Sequence, residues 1–346
     1  MPLRISAAIL VLAGAVLLLA RAAAPGGQAS PGGRVLKLEE LTYPEIAALD
    51  RAKTLVFLSF GNLEEHGPHL PVGSDYFQAV GVRDGAIERL RKAHPDFNFV
   101  LFPVIPLGEG AANDFAGQPD FPGTYSMRQS TLRDVAIDIG GALARQGFRY
   151  IFILQSHGTP LHNLALNEAA AFVSERYAAR MAHLTGYAFA TGAADHFAAM
   201  DKHLGKGWRE EVGIDSHGGA GETSANLAVR GDLVKSAYRE LAPFTVRSVE
   251  EFYGTSKLPG WRGYWGAPSR ASRALGEELI RNRAEHAFHN AEKVLAGEDL
   301  GSMQIFPDDF PVRPEDAALR ARLLERYAQQ TAEVAAWLEK RRAPKP

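Results

Sequence analysis

The 346-residue chain contains no cysteine. That absence removes disulfides, thiolate nucleophiles and cysteine-held zinc or iron–sulfur sites together. No excess of either charge is present: 38 Lys and Arg face 40 Asp and Glu, a formal charge of −2. Without a basic surplus to neutralise phosphates, nucleic acid is not an expected partner. Internal repeats are missing, and low complexity is confined to residues 22–33. What remains is ordinary globular usage, 46% hydrophobic and 23% charged, which excludes a disordered chain, a collagen and a coiled coil. Any metal must be held by carboxylates and the 11 histidines.

The first residues read as a leader. Arg4 precedes a run of small and apolar residues over 5–20, followed by Arg21, three alanines and Pro25. A charged start, an apolar middle and an Ala-rich exit describe a secretory signal peptide over 1–24. The run is shorter than the ~20 residues of a spanning helix, although an uncleaved signal anchor is the alternative. Either one exports the remainder, and a cysteine-free exported chain suits a periplasm or secretion. Residues 25–34 then form a flexible linker, 35–300 a catalytic domain and 301–346 a C-terminal helical extension.

Four short apolar runs, 54–60, 98–105, 149–154 and 186–191, are rich in β-branched and aromatic residues and show no in/out alternation. Strands buried on both faces read this way. Helical patterns lie between them at 77–93, 130–146 and 161–181, and beyond them at 273–295 and 315–342. Strand–helix alternation implies right-handed βαβ units, hence an α/β three-layer sandwich around a mostly parallel sheet.

Chemistry-bearing residues gather where strands end, the place at which open parallel sheets build their sites. Glu64, Glu65, His66, His69 and Asp75 follow the first run. Glu64 and His66 are two apart, so in extended chain they point the same way. Asp75 precedes a helix and could both cap it and coordinate. Ser156, His157 and Thr159 follow the third run, with His162 on the next helix and a weaker ligand candidate. His217 and Glu222 are separated by small residues that let backbone approach closely. Oxygen and nitrogen donors without sulfur suit Zn, Mn or Fe. Taken singly, each cluster is also explained as a polar turn or a helix start.

Together the three clusters resemble the creatininase (creatinine amidohydrolase) family. Glu64-Glu-His-Gly-Pro-His-Leu-Pro71 with Asp75 is similar to its Glu-x-His-Gly-x-His-Leu-Pro signature. Gln155-Ser-His-Gly-Thr-Pro160 resembles its second turn and His217 to Ser224 its third. Residues 121–124 and 263–272 look like further family segments, and the likeness runs from about Leu55 to about Leu279. It implies a hydrolase with two divalent ions, Zn, Mn or Fe. Glu64 and His157 would bind one, His66 the other, and Asp75 both. Glu222 would bind the second ion or sit against it, and His217 would transfer the proton. His69, Glu65, Ser156, Thr159 and Trp265 would stand behind the ligands or face substrate. The family's habit also implies a homo-oligomer, with a hexamer among the options.

The chain departs from that pattern in places. Thr159 stands where true creatininases carry a glutamate ligand, a role Glu222 could fill. Gln155-Ser156 replaces Asn-Gly, residues 115–119 look inserted, and Trp208, Trp261 and Trp265 do not match the tryptophans that hold creatinine. The expectation is therefore metal-activated water attacking a C–N bond, cyclic amide or formamide, of a small polar substrate. Lactone or carbocyclic ketone hydrolysis, and a catalytically silent metal- or ligand-binding envelope protein, stand as alternatives. A serine esterase through Ser156 or Ser224 lacks the Gly-x-Ser-x-Gly elbow.

Overall fold

The computed structural model describes residues 33–110, 112–115, 121–186, 192–248, 251–252, 260–298 and 314–342. The leader, nearly all of the linker and the start of the C-terminal extension, residues 301–313, lie outside them. Among the described residues no helix is long and apolar enough to cross a membrane.

Among the described residues five strands form one sheet: β1 (Val35–Lys37), β2 (Thr54–Ser59), β3 (Asn98–Leu101), β4 (Tyr150–Leu154) and β5 (Arg180–His183). Their order is β1-β3-β2-β4-β5, and every pairing is parallel. Alternate side chains feed two cores. Val56, Leu58, Val100, Ile151 and Ile153 pack on one face against α4 (Gln129–Arg145) and α5 (Pro160–Arg176). Leu55, Phe57, Phe99, Phe152 and Leu154 pack on the other against α2 (Ser74–Ala93) and α9 (Arg273–Leu295). Both faces are dry, which explains the unalternating runs. Each fully buried side chain of this size contributes roughly 1.5–3 kcal/mol. The fold is thus an α/β three-layer sandwich.

The remaining helices are α1 (Tyr43–Ala47), α3 (Ala112–Phe115), α6 (Ala193–Leu204), α7 (Trp208–Val212), α8 (Ala220–Arg230) and α10 (Pro314–Arg342). Most expected elements are present with shifted ends, one expected helix is shorter, one expected strand lies largely outside the described residues, and one strand was not expected. The helix expected over 161–181 stops at Arg176, because Tyr177 turns extended and the chain re-enters the sheet as β5 beside β4. The strand expected over 186–191 lies outside the described residues beyond Gly186. β1 carried no expectation: three residues, only the middle one half-buried, become a strand through pairing with β3.

Candidate metal centre

The site forms at the carboxyl ends of β2 and β4. Phe60 and Gly61 extend the β2 ladder by backbone bonds to Leu154 and Ile105. A side chain on Gly61 would lie 2.5 Å from the Tyr76 amide, so its absence lets the first turn of α2 approach the loop. Asp75 is the second residue of that helix rather than the residue before it, and its side chain makes no capping bond. The capping half of its expected double role is therefore corrected. Both carboxylate oxygens are free to face the neighbouring imidazoles.

Those imidazoles come from different loops. His157 Nδ1 lies 3.0 Å from Asp75 Oδ2 and 3.0 Å from Glu64 Oε2. His66 Nε2 lies 3.4 Å from Asp75 Oδ1 and 3.5 Å from Glu222 Oε2. Asp75 thus divides its two oxygens between two histidines. Among the described residues, three groups have donor atoms within 4.8 Å of one another: Glu64, Asp75 and His157; His66, Asp75 and Glu222; and Glu64, His66 and His217. The first two share Asp75.

The remaining ring atoms orient these donors. The Nδ1–H of His66 donates to the Glu64 carbonyl at 2.9 Å, which turns Nε2 toward Asp75 and Glu222. The Nε2–H of His157 donates to the Glu109 and Gly110 carbonyls, both at 3.0 Å, which turns Nδ1 toward the carboxylates. Anchoring the far nitrogen in this way selects the tautomer whose near nitrogen can coordinate. Asp75 Oδ1 and Oδ2 and His66 Nε2 are buried without a hydrogen-bond partner. Buried polar atoms are ordinarily satisfied. These three, with their hard oxygen and imidazole character, fit divalent cations.

Electrostatics agree with the geometry. Burial works against a charged His66, but Asp75, Glu222 and Glu64 together raise it to about 10. Burial likewise opposes a charged His157, yet Glu64 and Asp75 raise it well above its ordinary value. Burial would raise the Asp75 carboxyl, and the two imidazoles hold it well below the usual carboxylate range instead. A site this rich in anionic oxygens attracts positive charge of any kind.

His217 lies over the cluster, its ring 4.1 Å from that of His66 between centroids. Its Nε2 faces the carbonyl and carboxylate of Glu65, and its Nδ1 lies 3.4 Å from Glu64 Oε1. Glu65 is in turn held by the Gly67 amide. Trp265 is wholly buried and bonds its amide to the His217 carbonyl. Glu222 sits in the first turn of α8 and accepts from the Gly218 amide at 2.7 Å. His69 is set back: its Nε2 meets Thr223 Oγ1 at 2.8 Å, and it does not line the cavity. That cavity, of about 540 Å3, is lined by Glu64, His157, His217 and Glu222, with Ser156, Thr159 and Trp265 in its walls.

Several supporting residues were not foreseen. Glu109 is wholly buried and accepts from Thr159 through its carbonyl at 2.8 Å. Burial pushes its carboxyl up to about 7. Its place between Gly108 and Gly110, beyond the second apolar run, was the available signal. Asp215, two residues before His217, accepts from the Ala220 and Gly221 amides and so caps α8. His162 is held by the Glu109 amide, with burial keeping it neutral, and belongs to none of the donor groups. The weaker ligand candidate is therefore a support for the loop.

The fold and the converging donors define an α/β protein with a candidate metal-binding cluster. A family model described as creatinine amidohydrolase matches residues 39–289, and the chain belongs to the creatininase family. Among solved structures it is similar to "Creatininase Mn", with a TM-score of 0.57, 22% identity, and coverage of 76% of this chain and 99% of that one. A mutant creatininase described as "Zn-Zn type" gives 0.51 and 22%, over 76% and 98%. Among curated relatives, the mycofactocin precursor peptide peptidase of Mycolicibacterium smegmatis is 31% identical over 111 residues, 32% of this chain. The creatinine amidohydrolase of Pseudomonas putida is 30% identical over 119 residues, 34% of this chain. The matched stretches span 42% and 43% of those two relatives' lengths.

Proposed function

We propose that this protein is an exported hydrolase, dependent on two divalent ions, that cleaves a C–N bond in a small polar amide. The observation that carries the reading is the divided carboxylate of Asp75, one oxygen at His66 and the other at His157, neither hydrogen-bonded. Glu64, Asp75 and His157 would hold one ion, and His66, Asp75 and Glu222 the other. Bound there, a pair of Zn, Mn or Fe ions supplies an activated water and a Lewis acid for the carbonyl.

The chain's own residues do the rest. His217, reaching the cavity from above the cluster, is the group that carries a proton to the leaving nitrogen. Glu65 holds its Nε2, so the transferable proton belongs at Nδ1, the nitrogen toward Glu64. Trp265 and Thr159 shape the wall, and Ser156 Oγ, buried without a partner, is available to a polar substrate. A homo-oligomer and freedom from nucleic acid complete the reading.

Two observations favour variants of it. The similarity to a precursor peptide peptidase makes a short peptide a second substrate class, and a cavity of about 540 Å3 falls within the ordinary range for small-molecule sites. The third donor group, with Glu64, His66 and His217, makes His217 a ligand rather than a proton carrier. Elemental analysis of purified protein tests the core of the proposal, with about two metals per chain expected. A screen of cyclic amides, formamides, short peptides, lactones and ring ketones then follows. Hydrolysis abolished by chelation and restored by Zn or Mn is the expected result. Fewer than one metal per chain after reconstitution, with metal binding unchanged in His66→Ala, would leave a binding protein in place of the enzyme.

A further inference from the structure

Helix α10 starts beyond the residues matched by the family model, yet it reaches the metal centre's support. Leu323 and Tyr327 are buried in an apolar cluster with Ala112, Leu161, Trp261 and Trp265. Ala112 and Trp265 also line the cavity, so the helix packs behind its wall. Leu323, Arg326 and Tyr327 lie three and four residues apart, which places them on one helical face.

Two polar contacts from that face grip residues on the site's flank, Glu109 and Asp114. Arg326 meets both carboxylate oxygens of Asp114, at 2.7 and 3.0 Å. The Tyr327 hydroxyl donates to Glu109 Oε1 at 2.7 Å. Backbone at and beside these residues faces the donors on the side of the site formed by Glu64 and His157. Glu109 and Gly110 supply the carbonyls that orient His157, and the Ala112 amide donates to Glu64 Oε1 at 2.6 Å. By contrast, His66 is oriented by the Glu64 carbonyl and Glu222 by the Gly218 amide.

We infer that α10 is a positioning element of the metal centre, in which Tyr327 holds Glu109 and Arg326 holds Asp114 so that the backbone of Glu109, Gly110 and Ala112 aims His157 and Glu64. The inference rests on the reading of those two residues as metal ligands. It assigns the C-terminal extension a specific effect: the helix tunes one ion site and spares the other. A bidentate Arg–carboxylate pair and a buried hydroxyl bond are suited to that task because both are strongly directional.

The test uses the full chain and three variants, Tyr327→Phe, Arg326→Met and, as a control on the same helix, Val334→Ala. Val334 lies on the same helix with its side chain exposed. Metal-free protein is titrated calorimetrically with Zn or Mn, and amide hydrogen exchange is followed at Ala112. Losing an outer partner of a metal ligand typically weakens affinity 10- to 100-fold. Tyr327→Phe and Arg326→Met should weaken one of the two binding steps by that factor, leave the other within about 2-fold, and speed exchange at Ala112. The control should match wild type in all three readouts. A helix that merely stabilises the fold would lower the melting temperature while leaving both steps intact, and that result overturns the inference. If wild type itself takes up no metal, the proposed function fails and this inference falls with it. If wild type binds two ions and Glu64→Gln loses one while the α10 variants lose nothing, only the inference fails.

Discussion

Replacing Asp75 with asparagine changes little in volume and deletes one negative charge between two imidazoles. In metal-free protein the first consequence falls on His66, whose Nε2 lies 3.4 Å from Asp75 Oδ1. A unit-charge interaction over that distance, at an effective dielectric of about 20, is about 5 kcal/mol. At 1.36 kcal/mol per pH unit, its loss should lower the His66 titration by about 3 to 4 units from about 10. The variant's His66 should therefore titrate near its unperturbed range. Imidazole carbon resonances, followed by NMR in chelator-treated protein between pH 5 and 11, read this directly. The second consequence is metal content. Because Asp75 faces both candidate ion sites, the variant should fall from about two ions per chain to nearly none, whereas Glu64→Gln should lose one. A His66 that still titrates near 10 in Asp75→Asn would mean that Glu222 and Glu64 hold its proton, and the divided carboxylate would lose its central place. A variant that kept one ion at full affinity would refute the sharing of Asp75 between sites.

His217→Ala should retain both ions and lower turnover roughly 10²- to 10⁴-fold, the usual worth of general acid–base help, as measured by steady-state kinetics with parallel elemental analysis. An emptied site would instead make His217 a ligand. Gly263→Ala should destabilise the protein and disturb His217 together. Gly263 has φ +82°, and a Cβ there would fall 2.0 Å from Glu65 Oε2, the residue that holds the His217 ring. Thermal melting and the pH profile of turnover should both move. Burial depresses His183 to about 3, so only the unfolded chain binds its proton between pH 6.5 and that value. The stability it contributes is present above pH 6.5 and is lost as the pH falls, by about 1.4 kcal/mol per unit. Urea denaturation at pH 7 and pH 5 should show this slope reduced by that amount in His183→Gln, and an unchanged slope would contradict it. Chelation should lower the melting temperature, since ligands bound only to the folded chain stabilise it by mass action, and added Zn or Mn should reverse the fall.

Local physics made much of this protein readable from its residues. The two-sided burial of 54–60, 98–105 and 149–154 leaves a mark within each run, because a strand with dry faces needs apolar side chains at successive positions. The loop clusters were equally visible, since Glu64 and His66, or His217 and Glu222, are neighbours in sequence before they are neighbours in space. What the residues could not reveal was which clusters meet and how each donor is aimed. Whether Asp75 caps α2 or spans two histidines depends on where β4 delivers His157, a contact set by strand pairing. The strand at Arg180–His183 exists because β4 offers it a partner, and nothing local to those four residues demands it. Glu109 lies 218 positions from Tyr327 and Asp114 lies 212 from Arg326, so no spacing or periodicity could announce that the last helix returns to grip the loop behind His157. Short-range pattern reports a residue's own burial and direction. Long-range packing, which follows only from the closed fold, decides the company it keeps.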